Sequence, residues 1–157
     1  KTTIWQANGP SPATHKENKL SKYVVTGNNV TFAGVDVSAS VTRAELTISS
    51  TEVDVTDFAS GGYTEVVGGL KSGSISIDFQ QDFGTGGIGE TLTEDLVGTI
   101  ATVVIIAGNG SVASATTPSY TASCLISSVT PVSGAVGDLS TYSVTWPTTG
   151  AIVKAVA

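Results

Sequence analysis

The sequence has one cysteine, Cys124, and one histidine, His15. A single cysteine excludes an intrachain disulfide, so the chain is not a small domain stapled by bridges. His15 lies in a proline-bearing stretch, and a Ser-His-Asp or Cys-His arrangement would require that stretch to fold onto a site built elsewhere. Positive charge is scarce, with 7 Lys and Arg against 13 Asp and Glu, a net of −6. Long apolar runs are missing too. The longest, near Val103–Ala107, falls far short of the about 20 residues that cross a bilayer. No apolar stretch of leader length stands near residue 1.

The few bases are unevenly placed. Residues 1–22 carry Lys1, Lys16, Lys19 and Lys22 against Glu17, a net of +3, whereas residues 23–157 carry Arg43, Lys71 and Lys154 against twelve acids, a net of −9. An acidic body argues against tightly held nucleic acid, since DNA presents about one negative charge per 1.7 Å and its binders cluster Lys and Arg against it. A basic segment on an acidic body is suited to docking on a neighbouring acidic body.

Gly, Ser, Thr and Val are plentiful, which favours strands and turns over helices. At 157 residues, one domain is expected. We expect an all-β, mainly antiparallel sandwich or barrel with one short flanking helix, a projecting hairpin and an extended N-terminal arm. Residues 1–20 read as the arm and 21–157 as the single domain. The arm holds Asn8-Gly9-Pro10-Ser11-Pro12, which suits neither a helix nor an interior strand. Trp5 near its tip, Lys16 and Lys19 within it and Lys22 just after it are candidate contact residues between subunits.

Two-residue alternation marks the strands. Ala44, Leu46 and Ile48 oppose Arg43, Glu45 and Thr47, and Ile75, Ile77 and Phe79 oppose Ser74, Ser76 and Asp78. Between them, Val53 and Val55 alternate with Glu52, Asp54 and Asp57, followed by Phe58, the turn Ala59-Ser60-Gly61-Gly62, and Tyr63. This link reads as a projecting hairpin, and Glu52, Asp54, Asp57, Phe58 and Tyr63 as its contact residues. A hairpin is also expected over Tyr23–Phe32, turning at Gly27-Asn28-Asn29, with further turns at Gly68-Gly69 and Asn109-Gly110. Thr91-Leu92-Thr93-Glu94 has the capping-box form and predicts a helix starting at Thr91 and ending at Gly98. Thr99–Ala107 reads as a strand buried on both faces, and Ser119–Ser128 and Leu139–Trp146 as half-buried strands. Ile152–Val156 reads as a separate terminal strand or tail.

Other constellations point to bland roles. Gly84-Thr85-Gly86-Gly87-Ile88-Gly89 matches a dinucleotide fingerprint in letters, but the strand before it is half-exposed and no acid follows about twenty residues on. Glu52, Asp54, Asp57 and Glu65 lack calcium-loop spacing. Asp78 and Asp82 read as outward strand residues rather than a glycosidase pair. Cys124, on a face with Tyr120 and Ile126, reads as core. No catalytic residue, cofactor or metal ligand is expected.

One resemblance carries further. Val35-Asp36-Val37-Ser38, Glu52–Phe58, Gly62-Tyr63-Thr64-Glu65, Gly69–Ser74 and Phe79-Gln80-Gln81-Asp82-Phe83, closed by Gly134–Pro147, occur in an order and spacing similar to the tail tube (major tail) proteins of long-tailed phages of actinobacteria. The likeness covers roughly residues 34–157; the arm has no counterpart. It implies a non-enzymatic virion protein whose copies form hexameric rings stacked into a hollow tube, assembled in the host cytoplasm. The tube would meet the tape-measure protein and tail-tip or tail-terminator proteins, and pass phage DNA without holding it, with no membrane partner. A capsid decoration or head protein, an adhesin and a carbohydrate-binding module are the alternatives.

Overall fold

The computed structural model describes residues 24–108 and 112–156. The expected arm and the Asn109-Gly110 turn lie outside the described residues. Seven strands form: β1 (Asn29–Phe32), β2 (Val35–Asp36), β3 (Val41–Asp54), β4 (Val66–Gln80), β5 (Ile100–Ile106), β6 (Ser119–Leu125) and β7 (Thr141–Ala155). They make one antiparallel sheet in the order β2-β1-β5-β6-β7-β4-β3. The all-β, sandwich-like architecture is as the alternation indicated.

The sheet closes on itself. Four strands side by side span roughly 14 Å if flat, yet the Phe32 ring on β1 lies 5.5 Å from that of Trp146 on β7. The closure runs through β7. Its first half, Thr141–Pro147, pairs with β4, and its second half, from Thr148, pairs with β6. A strand that changes partners in this way makes a sandwich corner. Pro147 sits where the β4 ladder ends, opposite Ser74, so its missing N–H costs little. The Ile152–Val156 tail is therefore the far part of one continuous strand, which bulges around Gly150 between Thr149 and Val153.

Between the layers lie Val30, Phe32, Val103, Ala122 and Cys124 from one side and Ile75, Ile77, Phe79, Tyr142, Val144 and Trp146 from the other, all buried. Phe79 stacks on Tyr142 at 5.3 Å. Trp146 Nε1 donates to the Ser128 carbonyl at 2.9 Å, satisfying the one polar atom of the largest buried side chain. Burial pushes the Cys124 thiol up to about 11 and the Tyr142 phenol up to about 12, so both stay neutral near pH 7.

Several local expectations are corrected. The first hairpin turns at Ala33-Gly34, not at Gly27–Asn29. Both turn residues have positive φ, 48° and 86°, the requirement of the two-residue turn that matches strand twist. The Ala33 N–H donates to the Thr102 carbonyl, which holds an alanine where glycine is usual. The α-helix is one turn, α1 (Ile88–Thr91), ahead of the expected start. Ile88 and Leu92, four residues apart and both buried, set its register by pointing into the core together. The Thr91 hydroxyl bonds back to the Gly87 carbonyl and caps nothing, and Glu94–Leu96 forms a 3₁₀ turn instead. β5 is buried on both faces only at Ile105 and Ile106, for Ile100 and Thr102 are exposed. Gly68 and Gly69 lie inside β4, not at a turn.

Glycine at position 73 has a packing reason. A Cβ there would lie 2.7 Å from Ile152 Cδ1, 2.8 Å from Thr148 Oγ1 and 3.1 Å from the Thr47 carbonyl. Gly73→Val should cost about 1–3 kcal/mol, the usual penalty of overpacking. Thermal melts would check this, with Gly68→Ala as control, where the added Cβ meets only Ser50 Oγ at 3.4 Å.

Candidate interaction surface

β3 and β4 run together far beyond the body. Their lower parts belong to the core layer, where Ala44 pairs with Ile77 and Leu46 with Ile75. β7 still covers Gly73 through Thr148 and Ile152, but beyond it the two strands leave the core: β3 is exposed from Thr47 to its end, and Ile48, the next residue of the inward row, is half open to solvent. Seven further residues of strand, Ile48–Asp54, extend roughly 23 Å.

Register divides this projection into two faces. Val53 pairs with Val67, and Val55 follows on the same side, its N–H bonded to the Glu65 carbonyl. Glu52 and Asp54 stand on the other side, opposite Gly68 and Val66. A bulge sets the switch: Gly69 and Leu70 together oppose Thr51. A Cβ on Gly69 would come within 2.4 Å of Thr51 Oγ1, so only glycine lets the ladder continue. The bulge leaves Leu70 84% exposed.

The tip is ordered by its own polar side chains. Asp54 Oδ1 accepts from the Thr56 N–H at 2.8 Å, and Thr56 Oγ1 accepts from the Glu65 N–H at 2.9 Å. Asp57 Oδ1 accepts from the Ala59 N–H and the Ser60 hydroxyl, while Ser60 Oγ accepts from the Asp57 N–H. Such Asx and Ser turns fix a short loop locally. Gly61 and Gly62 supply the positive φ of the bend. The hydroxyl and N–H of Thr56 hold the Asp54 carboxyl below its usual range.

This braced loop holds two aromatic residues outward, Phe58 fully exposed and Tyr63 80% exposed. Glu52, Asp54, Asp57, Phe58 and Tyr63, five of the expected contact residues, are thus brought onto one projection. Trp5, Lys16, Lys19 and Lys22 lie outside the described residues. The sequence reading missed Leu70, Val66 and Val67. It also missed a second exposed apolar group, Phe83, Val132, Val136 and Leu139, on the loops at the other end of β4, where Gln81 bonds to the Ser140 and Pro131 backbones. Each of these apolar residues or pairs is followed closely by Gly, Ser or Lys, as in Val66-Val67-Gly68, Leu70-Lys71, Phe83-Gly84, Val132-Ser133, Val136-Gly137 and Leu139-Ser140.

The remaining constellations play local structural parts. Asp78 lies 4.0 Å from Arg43, which also pairs with Glu45, and Asp82 accepts from the Gly84 N–H. The Gly84–Gly89 segment leaves a strand with antiparallel neighbours on both sides and enters a single helical turn. Among the described residues, no three His, Cys, Asp or Glu side chains gather as metal ligands, and no helix is long and apolar enough to cross a membrane.

Solved structures share this architecture. The chain superposes on a chain of the structure "Virion of native gene transfer agent (GTA) particle" with a TM-score of 0.65 at 17% identity, covering 86% of this chain and 100% of that one. A second match, to a chain of "Tail of empty GTA particle computed with helical refinement, C6 symmetry", has a TM-score of 0.58 at 17% identity over 74% of this chain and 83% of that one. The fold is shared with virion and tail chains of these particles. No protein-family model and no curated protein matches the chain.

Proposed function

We propose that this chain is a structural, non-catalytic subunit of a phage-type tail, whose copies form hexameric rings that stack into the tail tube. The observation that carries the reading is the match over 100% of a gene transfer agent virion chain, joined to a hairpin that leaves Phe58, Tyr63 and Leu70 in water. Exposed apolar side chains on one projection mark a surface meant for protein contact. The C6 symmetry of the gene transfer agent tail whose chain shares this fold supports hexameric rings. The order of motifs supports the finer assignment to tail tube proteins of long-tailed actinobacterial phages.

The physical properties suit a conduit. A body with nine net negative charges repels DNA passing along its wall. β3 is the outer strand of the sheet and presents one side of its ladder for pairing with another copy. Tape-measure, tail-tip and tail-terminator proteins are the partners this role requires, and the virion is its location. The hairpin and the basic arm bridge neighbouring subunits.

Negative-stain microscopy of the purified protein tests the reading, with rings or hollow tubes expected. Monomers that bind only a preformed shell would favour a capsid decoration protein. Removing residues 1–20 should abolish tubes while leaving the thermal melt intact, because the arm precedes every described strand. Normal tubes from the truncated chain would remove the arm from the assembly contacts.

A further inference from the structure

The sheet forks where β7 changes partners. From Ser74 to Gln80, β4 has β3 on one side and β7 on the other, whereas from Val66 to Gly73 it pairs with β3 alone. β7 likewise pairs with β6 alone from Thr148 onward, and Gly150, Ala151 and Ile152 bulge out of that ladder. Two strand edges thus diverge beyond the Ser74–Pro147 pair. The cleft between them measures about 540 Å³ and is bordered by Lys71 and Gly73 of β4, Thr148 and Ile152 of β7, and Ile48 of β3.

Register shows which backbone groups face this cleft. In an antiparallel ladder, alternate residues turn both their N–H and their C=O to the same neighbour. The Thr42 hydroxyl donates to the Asp78 carbonyl and the Thr51 hydroxyl to the Leu70 carbonyl, so the even-numbered residues of β4 face β3. The Gln81 N–H donates to the Ser140 carbonyl just ahead of β7, which puts the odd-numbered residues on the other side. Lys71 therefore turns its N–H and C=O into the cleft, where no described strand meets them. Its side chain is unpartnered as well. Among the described bases, Arg43 pairs with Glu45 and Asp78 and Lys154 lies over the Tyr120 ring, which leaves Lys71 as an exposed cation beside Ile48 and Ile152.

We propose that this fork is a strand-addition site for an extended peptide segment of another protein, one that carries a large apolar residue and an acidic residue on the same face, two positions apart. An added strand supplies both the acceptor and the donor that the Lys71 backbone lacks, which a purely apolar ligand does not. Main-chain pairing of this kind gives affinity, and alternate side chains give specificity. The apolar residue covers Ile48 and Ile152, and the acid stands beside the Lys71 ammonium. An isolated surface ion pair contributes little, so the charge selects the peptide and sets its register while the backbone holds it. The site is independent of the tube reading and uses neither the hairpin tip nor the N-terminal arm.

A labelled peptide of sequence Thr-Ile-Thr-Glu-Thr-Val-Thr, titrated with the unassembled full-length protein and followed by fluorescence anisotropy, tests it. Saturable binding below about 1 mM is expected, with hydrogen exchange slowed at residues 66–73 and 148–155. Moving the glutamate by one position puts it on the opposite face, and N-methylating alternate peptide amides removes the strand's donors; each should weaken binding roughly tenfold. Lys71→Glu, an exposed change that should leave the thermal melt unaltered, should weaken binding about fivefold, and replacing the peptide's glutamate by lysine should restore it. No saturable binding, equal binding of the N-methylated peptide, or exchange slowed only elsewhere in the chain overturns the proposal. An affinity that falls as the protein is concentrated would place a second copy in the fork and overturn the assignment to another protein. Peptide binding by a chain that makes no tubes upholds the fork and overturns the tube reading, and tubes from a chain that binds no peptide do the reverse.

Discussion

Phe58→Ser combined with Tyr63→Ser should yield a folded protein that no longer assembles. Neither side chain touches the core, and the tip is held by Asp54, Thr56, Asp57 and Ser60, which the change leaves in place. The melting temperature should therefore stay within about 2 °C, since surface substitutions away from structural features cost within about 0.5 kcal/mol. Buried in a contact, each aromatic anchor is worth about 2 kcal/mol or more. Losing both weakens each contact by roughly 4 kcal/mol, close to a thousandfold. Sedimentation velocity and microscopy should find monomers at concentrations where the parent forms tubes. Tubes of normal length from the variant would show that the tip bridges nothing.

Trp146→Ala should have the opposite profile. Trp146 has no exposed surface, closes the sheet against Phe32, and donates to the Ser128 carbonyl. Truncating a buried Trp costs about 3–5 kcal/mol, and leaves the Ser128 carbonyl without this donor. Against a total stability of about 5–15 kcal/mol, the midpoint should fall by roughly 6–20 °C for a chain of this size. Circular dichroism during heating measures this directly. Assembly should fail at temperatures where the fold has melted and recover on cooling below that range. An unchanged melt would mean that the two layers are held together elsewhere.

These two variants separate the two kinds of apolar residue that the alternation alone could not distinguish. The pattern at Ala44, Leu46 and Ile48 is uniform, yet Ala44 and Leu46 pack on the core and Ile48 is in water. Alternation reports which side of a strand a residue takes, and says nothing of whether another layer covers that side. The hairpin itself was legible because Val53 and Val55 alternate with acids, which neither a covered strand nor a simple loop requires.

Other features were hidden for local reasons. Alanine is a poor marker of positive φ, so the Ala33-Gly34 turn was masked by the stronger turn letters of Gly27-Asn28-Asn29. The capping-box letters at Thr91–Glu94 were genuine, but the spacing of Ile88 and Leu92 overrode them because core burial outweighs a cap. The alternation ends at Trp146 and predicts a separate strand from Ile152, yet β7 runs on through Pro147 and Gly150, with its ladder changing partner after Pro147. That exchange depends on strands distant in sequence, which no local pattern encodes.

The shared strand also bears on how the molecule folds. β7 follows the other six strands along the chain, and both β4 and β6 await it. Until it docks, the β3–β4 hairpin and the β1-β2-β5-β6 group are separate pieces with open edges. Loop-closure entropy must be met before such distant pairings stabilise anything, so folding should be slow and end in one late step. During that interval the open edges favour aggregation, and the same strand that completes the subunit limits how quickly competent subunits appear.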